Sequence, residues 1–130
     1  MAIDFTNLFK VRVSTNLDVS MHKHDVVKLL LVRKLLYAHK KDKMYVRIYT
    51  EFPLNNNRIC DIYFENIRSK EAYAFEIQKQ TGEIWMNKAK EDYKDWDVLG
   101  CNTCDLIVVK LDELSNNIDE LNKQLDTFVL

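Results

Sequence analysis

Three β-branched and aromatic runs in close succession constrain this chain most: MYVRIYTEF over 44–52, ICDIYFE from Ile59 to Glu65, and AYAFEIQ from Ala72 to Gln78. Such residues suit a pleated surface, and the first run alternates between the two faces. Turn-forming residues follow it in PLNNN, and the Ile67–Lys70 connector is polar, so the trio predicts an antiparallel meander.

Helical spacing brackets the meander. His22–Ala38 (HKHDVVKLLLVRKLLYA) has no Gly or Pro and is rich in Leu and Lys. His24, Val27, Leu31 and Leu35 form one stripe, widened by Val26, Leu29, Leu30 and Leu36, so one side of this helix is expected to be buried. Thr81-Gly82 closes the meander. A second helix is predicted over Ile84–Trp96, with Trp85, Ala89, Tyr93 and Trp96 on one side and Gly100 ending the segment. DLIVVK (Asp105–Lys110) does not alternate and predicts a short strand covered on both faces. Residues 111–130 predict a C-terminal helix, about Asp112–Phe128. Leu111, Leu114, Ile118, Leu121, Leu125 and Phe128 give it a seam that can pack on the domain's own sheet or pair with another chain. Residues 1–18 lack a sustained period and read as an extended arm or short strand.

The expected fold is therefore α/β: a central mixed sheet flanked by helices, ordered αβββαβ plus the C-terminal helix. At 130 residues the chain fits one domain. Nineteen Lys and Arg nearly balance twenty Asp and Glu, so no overall field draws nucleic acid or membrane, and a polyanion must meet a local patch. Lys23, Lys28, Arg33, Lys34, Lys40, Lys41 and Lys43 offer one such stretch; the alternative is a solvated face. No apolar run approaches the roughly 20 residues that span a bilayer, and an intracellular location is expected. Three cysteines, Cys60, Cys101 and Cys104, argue against a disulfide framework. Cys101 and Cys104 have zinc-ligand spacing, but a structural site needs four ligands and only Cys60, His22, His24 and His39 remain to complete it, so two buried or partly buried thiols are expected. No GxGxxG, Walker loop, Ser/His/Asp grouping or HExxH is present.

The residues that carry chemistry lie on the second and third strands. Side chains two apart share a face, so Glu76 and Gln78 project together. If the second and third runs pair, Asp61 comes within reach of Glu76 at one sheet end. Two carboxylates and an amide could hold a magnesium ion, which takes oxygen ligands and retains waters for a phosphate substrate. Acids at strand ends are also commonly just solvated.

RICDIYF followed by AYAFEIQ, in that element order, resembles the PD-(D/E)xK nuclease superfamily over roughly residues 20–110. The resemblance implies a restriction-endonuclease-like core in which Asp61 and Glu76 bind Mg2+, with Mn2+ as a substitute, and Gln78 positions the attacking water. Cys60 stands where the family usually has Pro, and Gln78 where it usually has Lys; an amide orients water but supplies no charge. Glu-x-Gln variants occur in the superfamily. The same resemblance makes Glu51 and His24 supporting site residues, against plain readings as an exposed strand-end Glu and a core His. Gln80 continues the face of Glu76 and Gln78 toward phosphate, Lys88 is placed to supply the missing cation, and Arg58 belongs to an Arg-x-x-Asp pattern resembling Arg-x-Asp with one extra residue. The implied function is a metal-dependent DNA endonuclease, resolvase-like or repair-like, acting as a homodimer because one small domain offers one centre. The alternatives are a catalytically inactive protein of nuclease fold that binds DNA or a protein, and an interaction module built on the last helix.

Overall fold

A computed structural model describes residues 19–79 and 81–130. The predicted arm, 1–18, and Gln80 lie outside the described residues. Helix α1 (Val19–Ala38) leads into strands β1 (Val46–Pro53), β2 (Ile59–Asn66) and β3 (Glu71–Gln78). Helix α2 (Glu83–Tyr93) crosses to β4 (Thr103–Lys110), and helix α3 (Ile118–Gln124) sits between two 3-10 turns, Leu111–Glu113 and Leu125–Phe128.

The sheet is mixed and four-stranded, in the order β1-β2-β3-β4. β1, β2 and β3 form the antiparallel meander, and β4 joins β3 in parallel after the α2 crossover. Both predicted helices beside the meander and the predicted strand order are present. β4, however, is an edge strand in which Val109 alone is fully covered. Its unbroken apolar run serves both faces: Ile107 and Val109 pack on the α1 side and Leu106 on the α2 side.

Two separate clusters cover the two faces. On one, Val27, Leu31 and Leu35 of α1 meet Ile62, Phe64, Phe75 and Ile77 of the sheet. Each such side chain, once buried, contributes about 1.5–3 kcal/mol. On the other, Ala72 and Ala74 leave room for Tyr93 and Trp96, which pack with Cys60 and Tyr63. Trp96 lies beyond the end of α2, which stops at Tyr93 rather than continuing as the spacing predicted. Gly100 adopts φ 88°, a left-handed turn open to glycine, just before β4.

The C-terminal segment differs from its prediction. Ser115, Asn116 and Asn117 interrupt the expected single helix, because short polar side chains bond to nearby backbone in competition with helix. Asn117 is the N-cap of α3 and accepts from the Asp119 and Glu120 amides. Leu111, Leu114, Leu121 and Leu125 join the α1 cluster, while Ile118 faces outward, so the seam is spent on the chain's own core. Lys23 of α1 ties this segment down through the Leu111 and Leu114 carbonyls (2.9 and 2.6 Å) and Asn116 Oδ1 (2.9 Å).

Candidate functional site

The site begins with a break in strand alternation. In β1, Val46 and Ile48 pack toward α1 and Tyr49 lies against Tyr63, yet Phe52 joins the Tyr63 side rather than the Ile48 side. Glu51 has φ 50°, a left-handed conformation unusual for a non-glycine residue, and it resets the parity. β2 shows the matching break: Ile62 and Phe64 belong to the α1 face, whereas Cys60, two residues before Ile62, is buried in the α2 face. Asp61 lies at that break. The β1–β2 pairing brackets it, with Thr50 opposite Ile62 and Phe52 opposite Cys60.

β2 and β3 part at the same level. Their pairing runs from Asn66–Glu71 to Ile62–Phe75 and stops. Instead of continuing the ladder, the Ile77 amide donates to Asp61 Oδ2 at 2.6 Å. Asp61 Oδ1 lies 3.1 Å from His24 Nε2, one turn before Val27 on the buried stripe of α1. The pair is partly covered, with side chains 18% and 15% exposed. The Asp61 hydrogen bond raises the His24 pKa against the opposing effect of burial. His24 Nδ1 is buried without a hydrogen-bond partner, having Asp25 Oδ1 only at 3.5 Å.

Glu76 occupies the position after Phe75 on β3 and turns toward α2. It is 3% exposed. Arg58 Nη1 donates to its Oε2 at 2.6 Å, and the Tyr93 hydroxyl lies 3.5 Å from Oε1. Burial raises the Glu76 pKa, and the Arg58 charge opposes that rise. Arg58 also donates through Nε to Asp92 at 2.8 Å, and Asp92 accepts from Lys88 at 2.7 Å. The guanidinium lies over the Trp85 and Tyr93 rings, 5.6 and 5.8 Å from their centroids. A chain of alternating charge therefore runs from Lys88 through Asp92 and Arg58 to Glu76.

The expected site residues thus gather at one end of the sheet but in two groups. Asp61 is engaged by His24 from the α1 side, and Glu76 by Arg58 and Tyr93 from the α2 side. Among the described residues no three His, Cys, Asp or Glu side chains are close enough together to hold a metal ion. As donors, the two carboxylates suit a hard cation, and each is already matched to a positive or protonatable partner. Arg58 touches Asp92 and Glu76 at once.

Glu51 pairs with Lys28 at 2.9 Å, one turn after His24 on α1. Gln78 ends β3 half-buried, opposite Lys110. Lys88 reaches Glu76 only through Asp92 and Arg58. Arg58, expected to contact nucleic acid, is instead held between two carboxylates. The basic stretch is partly spent in structure as well: Lys23 caps the C-terminal segment, Lys28 pairs with Glu51, and Lys34 with Asp126 at 2.6 Å. Burial pushes the Cys60 thiol up to about 12, which keeps it protonated and a poor nucleophile at neutral pH. Asp92 and the Tyr93 hydroxyl were not anticipated. Lys88 and Asp92 stand four apart on a helix, a spacing that signals an ion pair.

No protein-family model matches the chain, and no match was found among curated proteins or among solved structures.

Proposed function

We propose that the protein is a metal-dependent DNA endonuclease of restriction-endonuclease-like fold. The observation that carries this reading is the fork between β2 and β3, where the Asp61 carboxylate replaces a ladder hydrogen bond beside Glu76. The αβββαβ order and the Glu76-x-Gln78 spacing support it. Asp61 and Glu76 would hold the ion. A bound magnesium ion supplies an activated water and neutralises charge that develops on the phosphodiester. His24 fixes Asp61 Oδ1 while the Ile77 amide fixes Oδ2, so that carboxylate is oriented before substrate arrives. Gln78 orients water through its amide. Arg58 guards Glu76 until the carboxylate is needed, and Asp92 receives the guanidinium.

Manganese titration by calorimetry and cleavage assays on single-stranded, duplex and branched DNA test this reading. One saturable manganese site and magnesium-dependent cleavage are expected, both lost in Asp61→Asn and Glu76→Gln with circular dichroism unchanged. Full cleavage by both variants overturns the assignment. The active form on duplex or junction substrates is a twofold dimer, since those substrates require two cuts.

A second reading is favoured by the 2.6 Å Arg58–Glu76 pair and the neutral Gln78: a protein of this fold that binds DNA without cutting it. It expects DNA binding that is indifferent to magnesium, with no cleavage under any metal.

A further inference from the structure

Each outer strand of the sheet, β1 and β4, has one edge with no strand beside it among the described residues. Hydrogen-bond parity shows which backbone groups β1 leaves over. The Ile67 amide donates to the Tyr45 carbonyl at 2.9 Å, in register with the Val46–Asn66 pairing, so Tyr45 opens the ladder as a bonded position. Bonded and non-bonded pairs alternate along an antiparallel ladder, which makes Arg47 and Tyr49 bonded to β2 as well. The N–H and C=O groups of Val46, Ile48 and Thr50 therefore point away from the sheet.

That edge carries few of the devices that keep sheet edges apart. Charged side chains, proline and bulges discourage strand addition, and β4 has Asp105 and Lys110 on its span. In β1 the left-handed Glu51 and Pro53 stop pairing beyond Thr50, but residues 46–50 hold a single charge, on Arg47. The same five residues are self-complementary. Antiparallel pairing about a twofold axis through Ile48 sets Ile48 against its own copy and Val46 against Thr50, the positions with free backbone groups. Each bonded pair exchanges two hydrogen bonds, about six in all. Arg47 then falls opposite the partner's Tyr49, a cation against an aromatic ring. Both are open to make that contact, the Arg47 side chain 59% and Tyr49 44% exposed. Moving the axis to Arg47 sets two guanidinium groups face to face, and moving it to Tyr49 carries Val46 across the break at Glu51. On the α1 side Leu36, Val46 and Ile48 help line a cavity of about 320 Å3 between the end of α1 and β1, which the partner's Ile48 would reach.

We propose that a second copy of this chain docks on the free edge of β1, antiparallel about Ile48, and joins the two four-stranded sheets into one. The Ile48 side chains meet at the axis on the α1 face, and Arg47 and Tyr49 of the two copies interlock on the other. The inference rests on the nuclease reading only in supplying the twofold dimer which that reading calls for.

Sedimentation equilibrium on the full chain, without metal or DNA, reads the assembly. A dimer is expected at tens of micromolar. Thr50→Pro removes an N–H that has no partner within the chain, so circular dichroism stays unchanged while the dimer weakens at least roughly tenfold. Tyr49→Lys opposes a second cation to Arg47 and weakens the dimer, whereas Tyr49→Glu, which loses the same ring, keeps it. The Tyr49 variants decide alone if Thr50→Pro fails to fold. Hydrogen exchange should protect the Val46, Ile48 and Thr50 amides only at concentrations where the dimer forms. A parent that stays monomeric, a dimer indifferent to a folded Thr50→Pro, or equal effects of the two Tyr49 variants overturns the interface. So does protection of those amides in the monomer, which assigns the edge to another segment of this chain. Failures of the two readings are separable: a β1 dimer that cleaves nothing removes only the nuclease reading, and cleavage by a monomer, or by a dimer indifferent to these variants, removes only the interface.

Discussion

Two acids one strand apart at the same sheet end are neutralised in opposite ways. Asp61, on the α1 side, is partly open, takes a backbone amide, and is matched by a histidine whose charge depends on pH. Glu76, on the α2 side, is sealed from solvent and matched by an arginine that stays charged. The faces that hold them differ in the same sense: aliphatic side chains of α1 pack over one, while aromatic side chains and a four-member charge chain cover the other. A histidine can release its partner by losing a proton. An arginine cannot, and must be moved, for which Asp92 offers a second anchor. The Asp61 side is thus poised for exchange with solvent, whereas the Glu76 side is locked until a competing cation or structural shift frees it.

The largest difference should appear when each cation is removed. Arg58→Met leaves Glu76 buried without its partner, and breaking such a pair is expected to cost about 3 kcal/mol, read as a lower urea midpoint. The double variant Arg58→Met with Glu76→Gln should recover most of that loss, because neither charge then remains to be buried. His24→Gln should cost only about 1 kcal/mol, since Asp61 keeps the Ile77 amide and some solvent. Equal losses from the two single variants would erase the contrast.

Titration sharpens it next. The folded His24 pKa is raised, so the folded state binds more protons than the unfolded one in that range. Its contribution is therefore fully present below the ordinary histidine value, near 6.5, and is lost as pH rises through the higher folded value. Glu76 is also raised, by burial, so its contribution has the same sign and falls away as pH rises from its ordinary 4.5 through the folded value. Denaturant midpoints measured at successive pH values should thus decline in two steps, one beginning near 4.5 and the other near 6.5. His24→Gln should flatten the upper step and leave the lower one in place. A midpoint that rises across neutrality in the parent protein would contradict the His24–Asp61 pairing.

The legible part of this architecture was what periodicity encodes. The stripe of His24, Val27, Leu31 and Leu35 is the buried side of α1, and the three runs do pair as a meander, because alternation and helical spacing are local properties. Proximity of Asp61 to the Glu76 strand was legible for the same reason. That their partners come from opposite faces was not, because strict alternation assumes a regular strand and the left-handed backbone at Glu51 breaks it without any glycine to mark the place. Arg58 was read as a surface contact because its partners Glu76 and Asp92 lie 18 and 34 residues away. The C-terminal seam looked continuous because apolar spacing survives across Ser115–Asn117 even where the backbone turns.

The smallest expected effect lies at the outer end of the charge chain. Lys88 is 69% exposed and pairs with Asp92 at four-residue helical spacing, an arrangement that solvent and salt screen strongly. Arg58 itself holds Asp92 at 2.8 Å and so keeps its place without Lys88. Lys88→Ala should leave the urea midpoint essentially that of the parent at moderate salt. Its informative consequence is electrostatic: with one cation fewer, Asp92 becomes the more attractive anchor for Arg58 and competes better with Glu76. If the guanidinium is shared between those two carboxylates, Lys88→Ala should tighten manganese binding slightly, while Arg58→Met tightens it more. Weaker metal binding in Lys88→Ala would show that Asp92 does not draw Arg58 away, and that the chain ends in a solvated pair with no influence on Glu76.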